Sequence, residues 1–344
     1  MYILVSVPNE AFQRVMAARA LQRRLGVETS VYRNASDLLR RVERSYGGRV
    51  VLLDWNRRRI AADVKVAGAS GLAIGNGVVY SSSWTGNFVQ RLQMGAPRRE
   101  ISHPWFNHLH TVELTEQGTL LVASAGADLI LEVSPEGQVL WHWFGPDHGF
   151  APKTPGPCST FDPATDYREI RRGTSERGMH LTSALPLADD AVLAALFHQG
   201  QLVRIDRKSG DAEVVLGGLV RPHGIHRRPG GFVLSDTLGH RIILLDEDLR
   251  VCAEVPFGTQ WLQDTVVTSS GTFLTLENVH IDQEPEAGLS NHIVEVDRGG
   301  ARLAGIQVPA DHRLFAAREL TDSAAQWMIA EWGLSGDLGG WTWN

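Results

Sequence analysis

The strongest constraint in this chain is a unit of four short apolar runs, separated by turn residues, that returns at about the 40- to 50-residue interval of propeller repeats. Residues 108–144, HLHTVELTEQGTLLVASAGADLILEVSPEGQVLWHWF, hold four such runs divided by QG, AGAD and PEG. Residues 222–257, PHGIHRRPGGFVLSDTLGHRIILLDEDLRVCAEVPF, repeat the layout with PGG, LGH and DED at the turns. The same pattern occupies residues 179–216, residues 261–308 with an insertion near 282–290, and residues 68–101 with a short fourth run. Gly, Pro, Asn and Asp at such joints supply the backbone angles of tight turns, so each unit reads as one four-stranded sheet.

The two ends complete the series. Residues 50–66 align with the last two strands of a unit, and residues 314–319 and 326–332 read as two strands with nothing after them to pair with. Joining the halves makes one composite blade and closes the ring, which removes free sheet edges. The expected fold is therefore all-β: a six-bladed β-propeller whose N- and C-terminal strands share a blade. Residues 1–48 are expected to form an N-terminal strand and a small helical cap or insertion, with amphipathic helices over 11–25 and 35–46; residues 49–344 form the propeller. Whether residues 2–7 join a blade is left open by the pattern. The Pro-rich stretch 145–178 is too long for a simple turn and is placed to fold over one mouth of the tunnel.

Composition narrows the partners. The net charge of −6, without a Lys/Arg stripe interleaved with aromatics, argues against nucleic acid. Cys158 and Cys252 are the only cysteines and have no metal-ligand spacing, so neither a disulfide framework nor a thiolate zinc site is implied. Residues 1–8 are apolar but lack a basic leader, and Glu10, Gln13 and Arg14 interrupt them; no later apolar run reaches the roughly 18 residues of a membrane helix. A cytoplasmic protein with no membrane partner is the expectation.

In a propeller the first strand of each blade lines the axis, so residues that start those strands converge. They read FNHLHTV, with His108 and His110; RGMHLTS, with His180; RPHGIHR, with His223; and WLQDTVV, with Gln263 and Asp264. Three successive blades thus present histidine at about one height, with His110, His180 and His223 as the candidate set and His108 beside them. Three imidazoles with an open fourth position are the pattern of a catalytic zinc site. A polar tunnel filled by hydrogen-bonded side chains and water explains the same residues without a metal. Asp264, Glu319, Arg318 and Tyr167 are the candidate acid–base groups at the axis or its mouth. His142, His198, His226 and His240 are expected on outer strands or turns, at the surface.

The run RPHGIHRRPGGFVLSDTLGHRIILLD resembles an NHL-type propeller repeat, over one blade well and over the others loosely. Within that group Pro222, His223 and Gly224 match the PHG-like element of the metal-dependent propeller lyases that act on peptidylglycine derivatives and on virginiamycin B. His180 and His110 match only in position. The resemblance implies a lyase or hydrolase with a divalent metal, most simply zinc, acting on a small molecule or modified peptide. Two other groups fit less well. The gluconolactonase group implies calcium on axial oxygens, for which Asp236, Asp264, Glu277 and Asn278 are available without forming its set. Residues 118–144 share a cadence with arylsulfotransferases, which implies group transfer with histidine as nucleophile. A peptide-binding scaffold is the non-enzyme alternative.

Overall fold

The computed structural model describes residues 1–12, 46–150, 160–170, 178–258, 260–280, 289–334 and 338–344. Six antiparallel sheets form a ring. Blade 1 is composite: Ala317–Leu320, Tyr2–Val7, Arg49–Asp54 and Arg59–Lys65, from the axis outward. Blade 2 holds Ala69–Gly75, Val78–Ser83, Phe88–Gln93 and Arg99–Ile101. Blade 3 holds Leu109–Leu114, Leu120–Ser124, Leu129–Val133 and Val139–Phe144. Blade 4 holds Leu181–Pro186, Ala191–Leu196, Gln201–Asp206 and Ala212–Leu216. Blade 5 holds Ile225–Arg228, Gly231–Asp236, Arg241–Leu245 and Val251–Pro256. Blade 6 holds Trp261–Val267, Phe273–Asn278, Ser290–Val296 and Arg302–Pro309, with Thr342–Trp343 added at its outer edge.

The apolar runs are continuous in the second strands because each blade is covered on both faces. Leu120–Ser124 and Ala191–Leu196 are buried at every position. Six apolar clusters result, each lying between two adjacent blades: Leu4 and Leu52 meet Leu72 and Val79, for example, and Leu193 and Leu202 meet Phe232 and Leu234. Burial of this kind stabilises by about 25 cal/mol per Å² of apolar surface. Along the outermost strands the burden eases, and Val251–Pro256 is mostly exposed.

Ring closure differs from the expected two-plus-two arrangement. Tyr2–Val7 is a propeller strand, paired with Arg49–Asp54 on one side and Ala317–Leu320 on the other, so the C-terminal part supplies one strand and the N-terminal part three. Residues 326–332, expected as a strand, lie instead in an α-helix, Asp322–Trp332. The reason is local: the Thr321 side chain accepts the Ala324 N–H as an N-cap, and Ala325 and Met328 bury against blade 1 at helical spacing. The expected helices over 11–25 and 35–46 fall almost wholly outside the described residues. So do residues 151–159 and 171–177 of the Pro-rich stretch and residues 282–288 of the blade 6 insertion.

Candidate functional site at the propeller axis

The inner strands begin in a repeated conformation that aims their side chains. Gly68, His108, His180 and Arg221 all have left-handed backbone, with φ of 67°, 50°, 50° and 55°. The next residue pairs with the end of the second strand in three of these blades, as Ala69 with Ser83, Leu109 with Ser124 and Leu181 with Leu196. A β-bulge follows, in which two inner-strand residues oppose one partner. In blade 5 the same bulge is seen as the His223 N–H donating to Ser235 O while the Ser235 N–H donates to Gly224 O. Left-handed backbone at a non-glycine residue costs of order 1–3 kcal/mol and persists only where the surroundings hold it. Here Asn87 Oδ1 accepts the His108 N–H at 2.7 Å, and the Asp128 carboxylate accepts the N–H groups of Gly178, Met179 and His180.

This repeat corrects the alignment of the histidines. Ser70, His110, Thr182 and His223 hold the first bulge position, whereas His180 corresponds to His108 and Arg221, two residues earlier. The rings nevertheless gather. Centroids lie 4.7 Å apart for His110 and His180, 5.5 Å for His108 and His110, and 6.4 Å for His110 and His223. Aromatic side chains enclose them: Phe315 on His110, Phe197 on His180 and His223, Trp84 on His108 and Trp261 on His223. His198 lies 5.8 Å from His180 but is exposed, in the turn after the second strand of blade 4, as expected of a surface group. Two guanidinium groups rest on the same aromatics, Arg221 over Phe197 and Arg313 over Trp261.

His223 is the most defined of the set. Its Nδ1 lies 2.8 Å from Thr237 Oγ1 and 3.1 Å from Arg221 O. Thr237 spends its own hydroxyl proton on Leu262 O, and a carbonyl only accepts, so Nδ1 is the donor and Nε2 carries the lone pair. Burial, with Arg313 and Arg221 nearby, pushes the His223 pKa down to about 3, against the weaker opposing pull of the Arg221 carbonyl. A neutral imidazole whose other nitrogen is anchored to oxygen is the form that ligates zinc. Among the described residues, no three His, Cys, Asp or Glu side chains already have their donor atoms gathered about one point. What the layer offers a metal is donor chemistry: a fixed tautomer at His223 with further imidazoles beside it.

Three residues further along three inner strands lies a second, ionic layer. His110 leads to Glu113, His223 to His226 and Phe315 to Arg318, and Asp264 joins them from the second bulge position of blade 6. His226 Nε2 is 2.6 Å from Asp264 Oδ1, Asp264 Oδ2 accepts the Ala317 N–H at 2.9 Å, and Arg318 pairs with Glu113. His226 is 8% exposed on an inner strand, which corrects its expected place at the surface. Burial opposes ionisation of Asp264, but His226, Arg318 and the Ala317 N–H together hold its pKa below the ordinary value. Burial wins at Glu113, whose pKa is raised despite Arg318.

Of the acid–base candidates, Asp264 and Arg318 therefore meet at the axis. Glu319 does not join them: its carboxylate accepts the N–H and hydroxyl of Ser269, each at 2.6 Å, at an exposed turn. Tyr167 is buried in the wall between blades 2 and 3, with its ring stacked on Phe161 and its hydroxyl accepting the Asp162 N–H. The oxygens weighed for calcium are engaged separately: Asp236 by Val220 N–H and Arg241, Glu277 by Arg302, Asn278 by Leu314. Of the other histidines assigned to the surface, His142 packs against Trp105 and Phe161 on the outermost strand of blade 3.

No family model and no curated protein sequence matches the chain. Solved structures do. A protein of unknown function from Bacteroides caccae aligns at 15% identity with a TM-score of 0.57, over 79% of this chain and 95% of that one. A chain of the nidogen/laminin complex aligns at 10% identity and a TM-score of 0.57, over 92% and 97%. Virginiamycin B lyase from Staphylococcus aureus, with quinupristin, is found at 14% identity and a TM-score of 0.46, over 66% and 69%. At these identities the likeness is one of fold, and the chain is a six-bladed β-propeller.

Proposed function

We propose that this propeller is a lyase or hydrolase acting on a small molecule or modified peptide at the imidazole layer of its axis. In this reading His110, His180 and His223 hold one divalent metal, zinc by their donor chemistry, with His108 as a neighbouring fourth imidazole. The observation that carries the reading is His223, neutral and locked with its Nε2 lone pair free of the Thr237 and Arg221 anchors. A bound ion of this kind supplies Lewis acidity or a water ionised near neutral pH. The protein's own share is to keep His223 neutral among Phe197 and Trp261 and to present Arg221 to a polar group of the substrate. Arg221 makes no ion pair with any described residue and its guanidinium is exposed.

Elemental analysis of the purified, untagged protein tests this, with wild type beside His223→Ala and His180→Ala. The expected result is about one ion per chain, lost in both variants while circular dichroism remains that of the wild type. No metal after purification without chelators and after metal re-addition would overturn it, and would favour histidine-nucleophile transfer or a binding scaffold.

A further inference from the structure

Beneath the imidazole layer, the ionic layer contains a pair that the metal reading does not use. His226 donates nothing to the ligand set; its Nε2 faces Asp264 Oδ1 at 2.6 Å, and the other carboxylate oxygen is fixed by the Ala317 N–H at 2.9 Å. A carboxylate held at both oxygens orients an imidazole and sets its tautomer, leaving the opposite nitrogen as the basic atom. That opposite nitrogen, Nδ1, makes no hydrogen bond to any described residue, and 10% of the side chain stays accessible.

The backbone is shaped around this pair. At the second bulge position blades 1, 3 and 4 carry Ala316, Thr111 and Ser183 and blade 6 carries Asp264 itself, while blades 2 and 5 carry Gly71 and Gly224. A Cβ at Gly224 would stand 1.9 Å from Asp264 Oδ1 and 3.2 Å from His226 Nε2. Only a residue without a side chain lets the pair close. Charged groups from the other inner strands complete the surroundings: Arg318 from blade 1 and Glu113 from blade 3, joined to each other.

We propose that His226 and Asp264 form a general-base dyad serving the axial tunnel, with His226 Nδ1 the atom that accepts the proton. The step is one proton transfer. The Nδ1 lone pair takes a proton from a water or from a carbon beside a substrate carbonyl, and the bonding electrons stay on the oxygen or carbon that lost it. The imidazolium so formed is balanced by Asp264, and the proton is returned to the leaving group. Asp264 is a positioning residue; His226 is the base. The proposal rests on the axis being the active site and not on a metal being bound there.

The test is nitrogen NMR of the full chain labelled at histidine, with His226 assigned by His226→Gln. At about pH 8, above the ordinary imidazole range, the expected spectrum shows His226 protonated at Nε2 and bare at Nδ1, becoming doubly protonated as the pH is lowered. Asp264→Asn is expected to abolish that tautomer preference. An imidazolium that persists throughout the range would overturn the proposal and make the pair a structural salt bridge, as would protonation at Nδ1. The wild-type titration decides even if Asp264→Asn fails to fold. Metal content of the same sample reports separately on the ligand set, so failure of either reading is recognisable.

Discussion

The two layers of the axis solve the problem of buried polarity in opposite ways. In the upper layer, aromatic rings surround the imidazoles, and His223 responds to desolvation by staying neutral. In the lower layer the carboxylates are held by partners: Asp264 by His226 and the Ala317 N–H, Glu113 by Arg318. The neutral His223 keeps its Nε2 lone pair for a metal without first losing a proton. A compensated layer fixes geometry, and removing one member leaves the others stranded.

The largest expected effect comes from breaking compensation. Asp264→Ala leaves His226 and the Ala317 N–H without their shared acceptor and Arg318 without a nearby negative charge, and should cost about 3–5 kcal/mol of stability in urea unfolding. A loss under about 1 kcal/mol, the range of surface pairs, would mean that the two layers do not differ in this way. Gly224→Ala, which drives a methyl group into the same carboxylate, should cost about 1–3 kcal/mol and shift the His226 resonances.

The pH dependence separates the layers further. The pKa of His223 is depressed in the folded state to about 3, below the ordinary imidazole value of about 6.5. Its contribution to stability is therefore complete above about 6.5 and is lost as the pH falls toward about 3, at up to about 1.4 kcal/mol per pH unit. Asp264, also depressed, adds a loss at still more acid pH, within and below the carboxylate range. His223→Ala should flatten the first part of that acid limb in melting curves and leave the second. Glu113 has the opposite sign: its raised pKa makes a contribution that is present at low pH and lost as the pH rises through the folded value. Glu113→Gln should accordingly cost only about 1 kcal/mol, with a deficit that shrinks as the pH rises.

The blades were legible because turn residues punctuate apolar runs at a regular interval, and that the axis gathers histidines was legible from their recurrence in first strands. The height of His180 was not: it sits two residues before the first bulge position, at the left-handed residue that His108 occupies in blade 3, and the run MHLTS does not mark where the bulge begins. The same bulge hid His226: three residues after His223 it should face away on a regular strand, yet it faces the axis. A charged residue three positions after the first bulge residue, as in Glu113 after His110 or Arg318 after Phe315, is the signal that would have found the lower layer. Ring closure was left open at the N-terminal end and misread at the C-terminal one. Uniform burial in Tyr2–Val7 gave no alternation to follow, and the Trp327–Trp332 region carried aromatic residues that suit a strand while Thr321 capped a helix.

The central claim is that the upper layer and not the lower holds the metal, and zinc titration by calorimetry on three proteins tests it most directly: wild type, His223→Ala and His226→Ala. The account predicts about one site per chain in wild type and in His226→Ala, and none in His223→Ala. Equal zinc binding by His223→Ala and wild type, or loss in both variants alike, would contradict it.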